Sequence, residues 1–235
     1  TVTYIDRVTD EVKGTYQVGD NPSRTAVDLE GNCWVGSRND TTVWFVKRDG
    51  TTRKFDGFSA ARGVALDKDG NIWIANSGNN TIQKITKISD ETYDISSQAA
   101  IAGASILYGA LVDREGYLWI ADRDGAKIYR YNTAAFPDMS GTNLITISLS
   151  GIYGFTLDTN GKVWASGYLS SNLFKIDAHT ATLEKTYPLS GLPNYEGIAC
   201  DIEGNVWIGD DNSGSGDNNV IKFDPVKETF KIIDI

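Results

Sequence analysis

One short pattern occurs five times along this chain of 235 residues. Each copy contains Asp, two further residues and Gly, and a Trp follows three residues after the Gly. The segments are "TAVDLEGNCWVGS" (25–37), "GVALDKDGNIWIANS" (63–77), "GALVDREGYLWIADR" (109–123), "GFTLDTNGKVWASGY" (154–168) and "GIACDIEGNVWIGDD" (197–211). Their Trp residues are 39, 46, 45 and 43 residues apart. A period of this length is typical of folds built by repeating one small structural unit.

Each copy of the pattern predicts a β-hairpin. A short apolar strand ends at the Asp, polar residues and a Gly with positive φ make the turn, and a second strand carries the Trp. The Asp side chain accepts hydrogen bonds from backbone N–H groups of the turn. An EF-hand calcium loop does not fit, since with Gly70 at its position 6 the end positions would be Ala65 and Asn76. We therefore predict a structural Asp turn, with a weak cation site at one or two copies as the alternative.

Two further strands with alternating apolar and polar residues follow each hairpin. Four antiparallel strands in each period of roughly 40 to 45 residues predict one blade of a β-propeller, so the fold class is all-β. The repeated Trp is then placed between neighbouring blades, where an aromatic ring buries on the order of 200 Å². Trp44 lies outside this register, on a third strand.

The periodicity predicts a single propeller domain over residues 1–235. Its five complete blades are predicted at about 23–58, 61–102, 107–150, 152–190 and 195–235. Residues 1–19 look like a third and a fourth strand without a first and a second, that is, an N-terminal half blade. Either five blades close the ring and residues 1–19 pack as an extra hairpin, or the chain is part of a six- or seven-bladed ring whose missing strands lie elsewhere, or the pair forms a sixth, half-sized blade. We favour a ring of five or six positions, and self-assembly through residues 1–19 is one way to cover the orphan strands.

The composition argues against two classes of partner, nucleic acids and membranes. Hydrophobic residues make up 40% and charged residues 23% of the chain, a globular balance. The net charge of -9 disfavours binding to nucleic acid, and no apolar run approaches 18 residues, which argues against membrane insertion. The chain begins at Thr1, from which we expect a processed chain or an excised fragment. Cys33 and Cys200 occupy apolar positions of the repeat and are expected to be free thiols rather than a disulfide.

The repeat resembles a known group of propellers. "GVALDKDGNIWIANSGNNTIQKI" and "GFTLDTNGKVWASGYLSSNLFKID" are similar to the NHL and streptogramin (virginiamycin B) lyase-like repeats. The N-terminal "TVTYIDRVTDEVKGTYQVGDNP" resembles the surface-layer propeller repeat of secreted bacterial and archaeal proteins. Together these resemblances cover nearly the whole chain, and they imply a fold much more than a function.

The resemblance to the lyases implies a metal-dependent enzyme with a His in its central funnel. This chain departs from that pattern, because its one His is His179, in "DAHTAT" between a third and a fourth strand. That turn is expected at the rim, so the lyase activity is not expected here and no catalytic residue is predicted.

The hairpin is also similar to that of gluconolactonase-type propellers, in which a Glu, an Asn and an Asp bind an axial divalent metal. "Tyr195-Glu196-Gly197" matches the Glu step of that family. The corresponding metal ligands implied by register are Asn76, Asp122 and Asp210.

The ends of the inner strands indicate where a ligand would bind. The first strands begin at Arg24, Arg62, Tyr108, Tyr153 and Glu196, and these entries meet at one mouth of the predicted channel. Polar and aromatic residues in such a funnel suit a small ligand, and two Arg side chains suit a carboxylate or a sugar acid. The alternative is that the Arg residues close the channel by pairing with Asp or Glu.

The loop "GDDNSGSGDNN" (209–219) is longer than its counterparts. Asp210, Asp211 and Asp217 offer oxygen ligands of the type that Ca²⁺ takes, and the Gly and Ser between them fit either a bound ion or an irregular loop. A divalent cation, calcium or magnesium, is the only cofactor that the sequence suggests.

These observations favour a secreted or cell-surface propeller that acts as a non-catalytic binding or structural module. Its partner would be a protein, a glycan or a small molecule, and its ligand site would lie at the axial funnel. The alternative is a metal-dependent lyase or lactonase with a divalent ion in the central channel. A third interpretation is sugar recognition by rim aromatics such as Trp44 and Tyr168.

Overall fold

The computed structural model describes residues 1–6, 8–89, 92–149, 151–168, 170–189, 195–210 and 219–234. Almost all regular structure in them is β-strand, and none of their helical turns has the length or apolar character needed to cross a membrane. The chain divides into two compact units, Thr1–Ala102 and Gly103–Ile235. The single domain expected from the periodicity stays a prediction.

The first unit contains a two-stranded hairpin and two blades. The hairpin is β1 (Val2–Ile5) and β2 (Val12–Tyr16). The first blade is β3 (Pro22–Val27), β4 (Cys33–Ser37), β5 (Thr42–Val46) and β6 (Thr52–Asp56). The second blade is β7 (Ala61–Leu66), β8 (Ile72–Asn76), β9 (Thr81–Ser89) and β10 (Thr92–Ile95), with the short β11 (Ala99–Ala100) also paired to β9.

The second unit contains three blades. The third blade is β12 (Leu107–Val112), β13 (Tyr117–Asp122), β14 (Lys127–Asn132) and β15 (Leu144–Ser148). The fourth is β16 (Ile152–Leu157), β17 (Lys162–Gly167), β18 (Asn172–Asp177) and β19 (Thr182–Pro188). The fifth is β20 (Tyr195–Cys200), β21 (Val206–Asp210), β22 (Asn219–Asp224) and β23 (Thr229–Asp234). Five antiparallel blades and one hairpin confirm the predicted all-β propeller fold.

The Asp turns between first and second strands have the predicted chemistry. In every copy one carboxylate oxygen accepts from the backbone N–H groups two and four residues later, at 2.8–3.0 Å. The Gly N–H donates to the Asp carbonyl, and each of these Gly residues has a φ between 76° and 88°. That backbone conformation requires glycine, which explains its place in the pattern.

The same Asp also binds the repeated Trp. In four copies the second carboxylate oxygen accepts from the indole N–H six residues later. The pairs are Trp73 with Asp67 at 3.0 Å, Trp119 with Asp113 at 2.8 Å, Trp164 with Asp158 at 3.0 Å and Trp207 with Asp201 at 2.8 Å. The bond satisfies the one polar group of a ring that is otherwise buried for packing. One carboxylate therefore orders the turn and orients the ring beside it.

Three of the Trp rings lie between neighbouring blades, as predicted. Trp34 of the first blade packs against Tyr93 of the second, with ring centroids 5.4 Å apart. Trp119 of the third blade lies in one cluster with residues of the fourth, and Trp164 of the fourth is 5.8 Å from Phe223 of the fifth. Trp73 is also buried, whereas Trp207 of the fifth blade is only half-buried.

The N-terminal hairpin is the counterpart of the third and fourth strands of a blade. Asp6, which follows β1, accepts from Val8 N and Thr9 N, as Asp224 at the end of β22 accepts from Val226 N and Lys227 N. Trp44, which the sequence left unplaced, packs against a cluster of Val side chains that includes one from this N-terminal region. Its indole N–H donates to Thr42 Oγ1 at 3.0 Å.

Replacement of one turn Asp tests its double role. We expect Asp158→Ala to lower the free energy of unfolding by about 2–4 kcal/mol, because the buried Trp164 N–H and two backbone N–H groups lose their acceptor. Urea unfolding of the variant measures this loss. Asn160→Ala, an exposed change in the same turn, is the control and should stay within about 0.5 kcal/mol of the parent.

The turn of the fifth blade makes stability depend on pH. Hydrogen bonds from Trp207 and then Asn205 lower the pKa of Asp201 from 3.8 to about 2. A carboxyl group whose pKa is lower in the folded state stabilises the fold above its ordinary pKa, and this contribution is lost as the pH falls towards the folded value. Between about pH 4 and pH 2, the unfolding free energy should fall less steeply for Asp201→Asn than for the parent chain. Equal slopes in urea titrations would contradict this assignment.

Candidate functional site

The two predicted Arg residues lie on neighbouring first strands of the first unit. Arg62 on β7 is almost buried, and its Nη1 donates to Ser23 Oγ on β3 at 3.0 Å. Arg24, one residue further along β3, is half-buried. The Arg62 guanidinium thus already links two inner strands, so it has a structural partner in addition to any ligand role.

Asn76, predicted as a metal ligand, lies at the end of β8 and is fully buried. Its Oδ1 accepts from Ser59 N at 3.0 Å, while its Nδ2 donates to Thr81 Oγ1 at 3.1 Å and to Gln83 Oε1 at 2.8 Å. The amide therefore holds the segment that leads into the first strand of its own blade.

Asp122 takes the same place at the end of β13 and is also fully buried. Its carboxylate accepts from Ser105 N, Ile106 N and Gly125 N at 2.9–3.2 Å, and from the Tyr129 hydroxyl at 3.2 Å. Burial, followed by the charge of Asp122, raises the pKa of Tyr129 to about 12. The lone pairs of this carboxylate are directed at backbone and phenol donors of its own blade.

The remaining predicted metal ligands are Glu196, Asp210, Asp211 and Asp217. Glu196 is half-buried on β20, and its carbonyl oxygen accepts from Ser166 Oγ at 3.3 Å. Asp211, Asp217 and the side chain of Asp210 lie outside the described residues. Within the residues that the structure describes, no three His, Cys, Asp or Glu side chains are grouped as a metal site would require. The axial metal and the loop calcium stay predictions.

Three tyrosines come together in the second unit. The hydroxyl of Tyr108 on β12 donates to that of Tyr153 on β16 at 3.1 Å, and their ring centroids are 4.6 Å apart. The ring of Tyr168, just after β17, lies 5.5 Å from Tyr153 at an interplanar angle of 35°. Tyr108 is buried, whereas Tyr153 and Tyr168 are half-buried, so two of the three tyrosines keep some surface accessible to solvent.

A cation flanks this tyrosine cluster. The guanidinium carbon of Arg123 lies 5.2 Å from the Tyr108 ring centroid, a cation–π geometry. Asp124 accepts from Arg123 Nε at 2.6 Å and from Nη2 at 3.1 Å, and these bonds hold the pKa of Asp124 below its usual value. The sequence pattern pointed to the tyrosines but not to Arg123, which stands directly after the second strand of its blade.

Close approach of two inner strands fixes the backbone beside Tyr153. A Cβ atom at Gly154 would lie 2.9 Å from the carbonyl oxygen of Glu196, closer than side-chain carbons normally come to backbone atoms. Glycine at this position lets β16 and β20 pack together, and so keeps Tyr153 and Glu196 on neighbouring strands. The structure thus brings together three of the predicted ligand-binding residues, Tyr108, Tyr153 and Glu196, within one unit.

The one histidine lies at the other end of the blades. His179 follows β18 and is largely exposed, as predicted, and its Nδ1 is 2.8 Å from Glu115 Oε1 in the Asp turn of the third blade. The pair bridges two neighbouring blades, far along the strands from the tyrosine cluster, which lies where the first strands begin.

Comparison with known proteins agrees with the fold and the repeat. The NHL repeat model matches residues 58–85, and no curated protein sequence matches the chain. Virginiamycin B lyase from Staphylococcus aureus superimposes with a TM-score of 0.75 at 16% identity, over 92% of this chain and 70% of the lyase. A catalytically inactive variant of that lyase with quinupristin gives 0.74 at 14% identity, over 92% and 70%. A putative 6-phosphogluconolactonase from Bacteroides uniformis gives 0.75 at 16% identity, over 99% and 77%.

These matches define the class of protein. Residues 58–85 match the NHL repeat, and the chain as a whole has the β-propeller fold that virginiamycin B lyase also has. At such low identity the lyase and the lactonase share the fold with this chain, and their activities do not follow from it. The surface-layer resemblance of residues 1–22 stays a prediction.

Proposed function

We propose that the protein is a secreted or cell-surface binding module without catalytic activity, and that its ligand is a sugar held on the tyrosine cluster. The observation that carries the proposal is the pair of half-buried rings of Tyr153 and Tyr168, 5.5 Å apart, backed by the buried Tyr108. Tyrosine offers an apolar ring face for the C–H groups of a sugar and a hydroxyl for hydrogen bonds.

The surroundings of the cluster suit an uncharged or acidic sugar. The Tyr108 hydroxyl orients that of Tyr153, and Arg123 brings a cation to the edge of the rings. Because Arg123 is already paired with Asp124, its charge is partly compensated and the cluster has no strong preference for an anion. The acidic net charge of -9 also fits a module that works outside the cell without contacting nucleic acid.

The absence of catalysis is supported by what the candidate catalytic groups do. His179 is in a turn at the opposite end of the blades and pairs with Glu115. The buried Asp122 carboxylate accepts from four groups of its own blade. These contacts support a structural role for both side chains, rather than a role as acid, base or nucleophile.

Binding to a panel of neutral and acidic oligosaccharides tests the proposed site. We expect at least one to bind, and Tyr153→Ala to weaken that binding about tenfold or more, because the exposed part of the stacking surface is lost. Calorimetric titration measures the change. Tyr117→Ala is the matched control, since this tyrosine lies at the other end of the third blade beneath Arg130. Unchanged affinity in Tyr153→Ala would contradict the proposal, as would a panel with no binder.

The second candidate is a metal-dependent lyase or lactonase, favoured by the fold shared with virginiamycin B lyase and the putative 6-phosphogluconolactonase. It would use Glu196 as a ligand of a divalent ion. A binding module should show the same melting temperature with and without chelator, and Glu196→Ala should not change the metal content. A stoichiometric divalent ion that is lost in Glu196→Ala would instead establish the enzyme hypothesis.

A further inference from the structure

An apolar groove of about 720 Å³ lies in the first unit, between the N-terminal hairpin and the first blade. One wall is β1, with Val2 and Tyr4, and the other is the face of the first blade that carries Val27, Cys33 and Val46. Val27 is 64% exposed although it lies on an inner strand. We call this space, whose lining includes these five residues together with Asp6 and Arg48, the N-terminal groove.

Among the described strands, one edge of the hairpin beside the groove has no pairing partner. In each of the five blades the third strand is paired on one side with the fourth strand and on the other with the second. The hairpin corresponds to third and fourth strands, and among the described strands β1 pairs with β2 only. The other edge of β1 therefore matches an extended strand that would take the place of a second strand.

The register of the blades shows what fits against the groove wall. In the first blade Val27 pairs with Cys33, which pairs with Val46. Their counterparts in the second blade are Leu66, Ile72 and Ile85, which are linked by the same pairings.

The counterparts in the second blade pack in one cluster with Trp34, which comes from the second strand of the preceding blade. The groove wall is therefore the same surface as this Trp-binding face. By this correspondence, a ring packed on the groove wall would come from a strand lying next to β1.

Arg48, a charged residue in the lining of the groove, also corresponds to a residue in the second blade. In the second blade, Lys87 Nζ donates to Glu30 Oε1 at 3.2 Å, and Glu30 belongs to the Asp turn of the preceding blade. Arg48 follows Val46 by two residues, as Lys87 follows Ile85, so it occupies the equivalent position. An acidic residue in the turn of an incoming hairpin would thus meet Arg48.

We propose that the N-terminal groove binds a β-hairpin of a partner polypeptide that repeats the chemistry of this chain's own inner hairpins. Its second strand adds antiparallel to the open edge of β1, its Trp occupies the wall formed by Val27, Cys33 and Val46, and an acidic turn residue pairs with Arg48. Main-chain pairing supplies affinity and the ring supplies selectivity, as in other cases of strand addition.

A second copy of this chain is a poorer occupant. All five inner hairpins are already incorporated in sheets of four or more described strands, so a folded copy has none of them to donate. The proposed occupant is therefore a segment outside the described sheets that carries the same pattern.

A synthetic peptide with the sequence of residues 109–122, "GALVDREGYLWIAD", is the probe. We expect the labelled peptide to bind the full chain in fluorescence anisotropy. Replacing its Trp by Ala should weaken binding about tenfold or more, and replacing its Glu by Gln should weaken it less, since a partly exposed ion pair contributes little. No binding, or equal binding by the peptide without Trp, would overturn the proposal.

Two features of the chain give matched controls. Val27→Asp on the groove wall should abolish peptide binding, while Val12→Asp, which changes a Val of similar exposure outside the groove, should leave it unchanged. The peptide should also slow alkylation of Cys33 several-fold and leave Cys200 unaffected, since burial raises the pKa of both thiols to about 11 but only Cys33 lines the groove. Light scattering could instead show a dimer before any peptide is added, with Cys33 already protected from alkylation. That result would make a second copy of the chain the occupant and would contradict the proposal.

Discussion

The hydrogen bond between a turn aspartate and the indole of a tryptophan six residues later is the interaction on which this structure depends. One oxygen of the carboxylate closes the turn between the first two strands, and in four blades the other oxygen binds the ring N–H. A large ring with one polar group is costly to bury without a partner. In these four blades the acceptor comes from the same hairpin, so the Trp N–H is satisfied without a partner from a neighbouring blade.

Neighbouring blades pack together through the same kind of apolar surface each time. A ring from the second strand of one blade lies against three apolar residues of the next, as Trp34 does against the second blade and Trp164 against the fifth. The N-terminal groove is the equivalent surface on the first blade, beside a hairpin that has one unpaired edge among the described strands. The same packing of a ring on three apolar residues thus accounts for the core of the fold and for the proposed polypeptide site. The tyrosine cluster is different, because it lies at the beginnings of the inner strands, where the side chains are not part of the repeat.

The repeat pattern predicted the hairpins, the positive φ of the turn glycines and the burial of the tryptophans, because these properties depend on residues close together in the chain. It could not predict the partners of Asn76 and Asp122. Their acceptors are satisfied by N–H groups of Ser59, Ser105 and Ile106, which lie 16 or 17 residues earlier in segments without a pattern. The role of Asn76 and Asp122 as metal ligands was inferred from register and from the resemblance to gluconolactonase-type propellers, and it stays a prediction. Tyr108 and Tyr153 were predicted at neighbouring strand entries, whereas the contact of Arg123 with their cluster depends on a turn whose conformation has no periodic signal.

Hydrogen exchange of the indole N–H groups, followed by NMR, tests the central claim most directly. If the turn aspartates bind the rings as described, the indole protons of Trp73, Trp119 and Trp164 exchange slowly, and that of the half-buried Trp207 exchanges faster than these three. Exchange of all these indole protons at the rate of a solvent-exposed tryptophan would contradict the account, because it would show that the bond from Asp to Trp does not hold the blades.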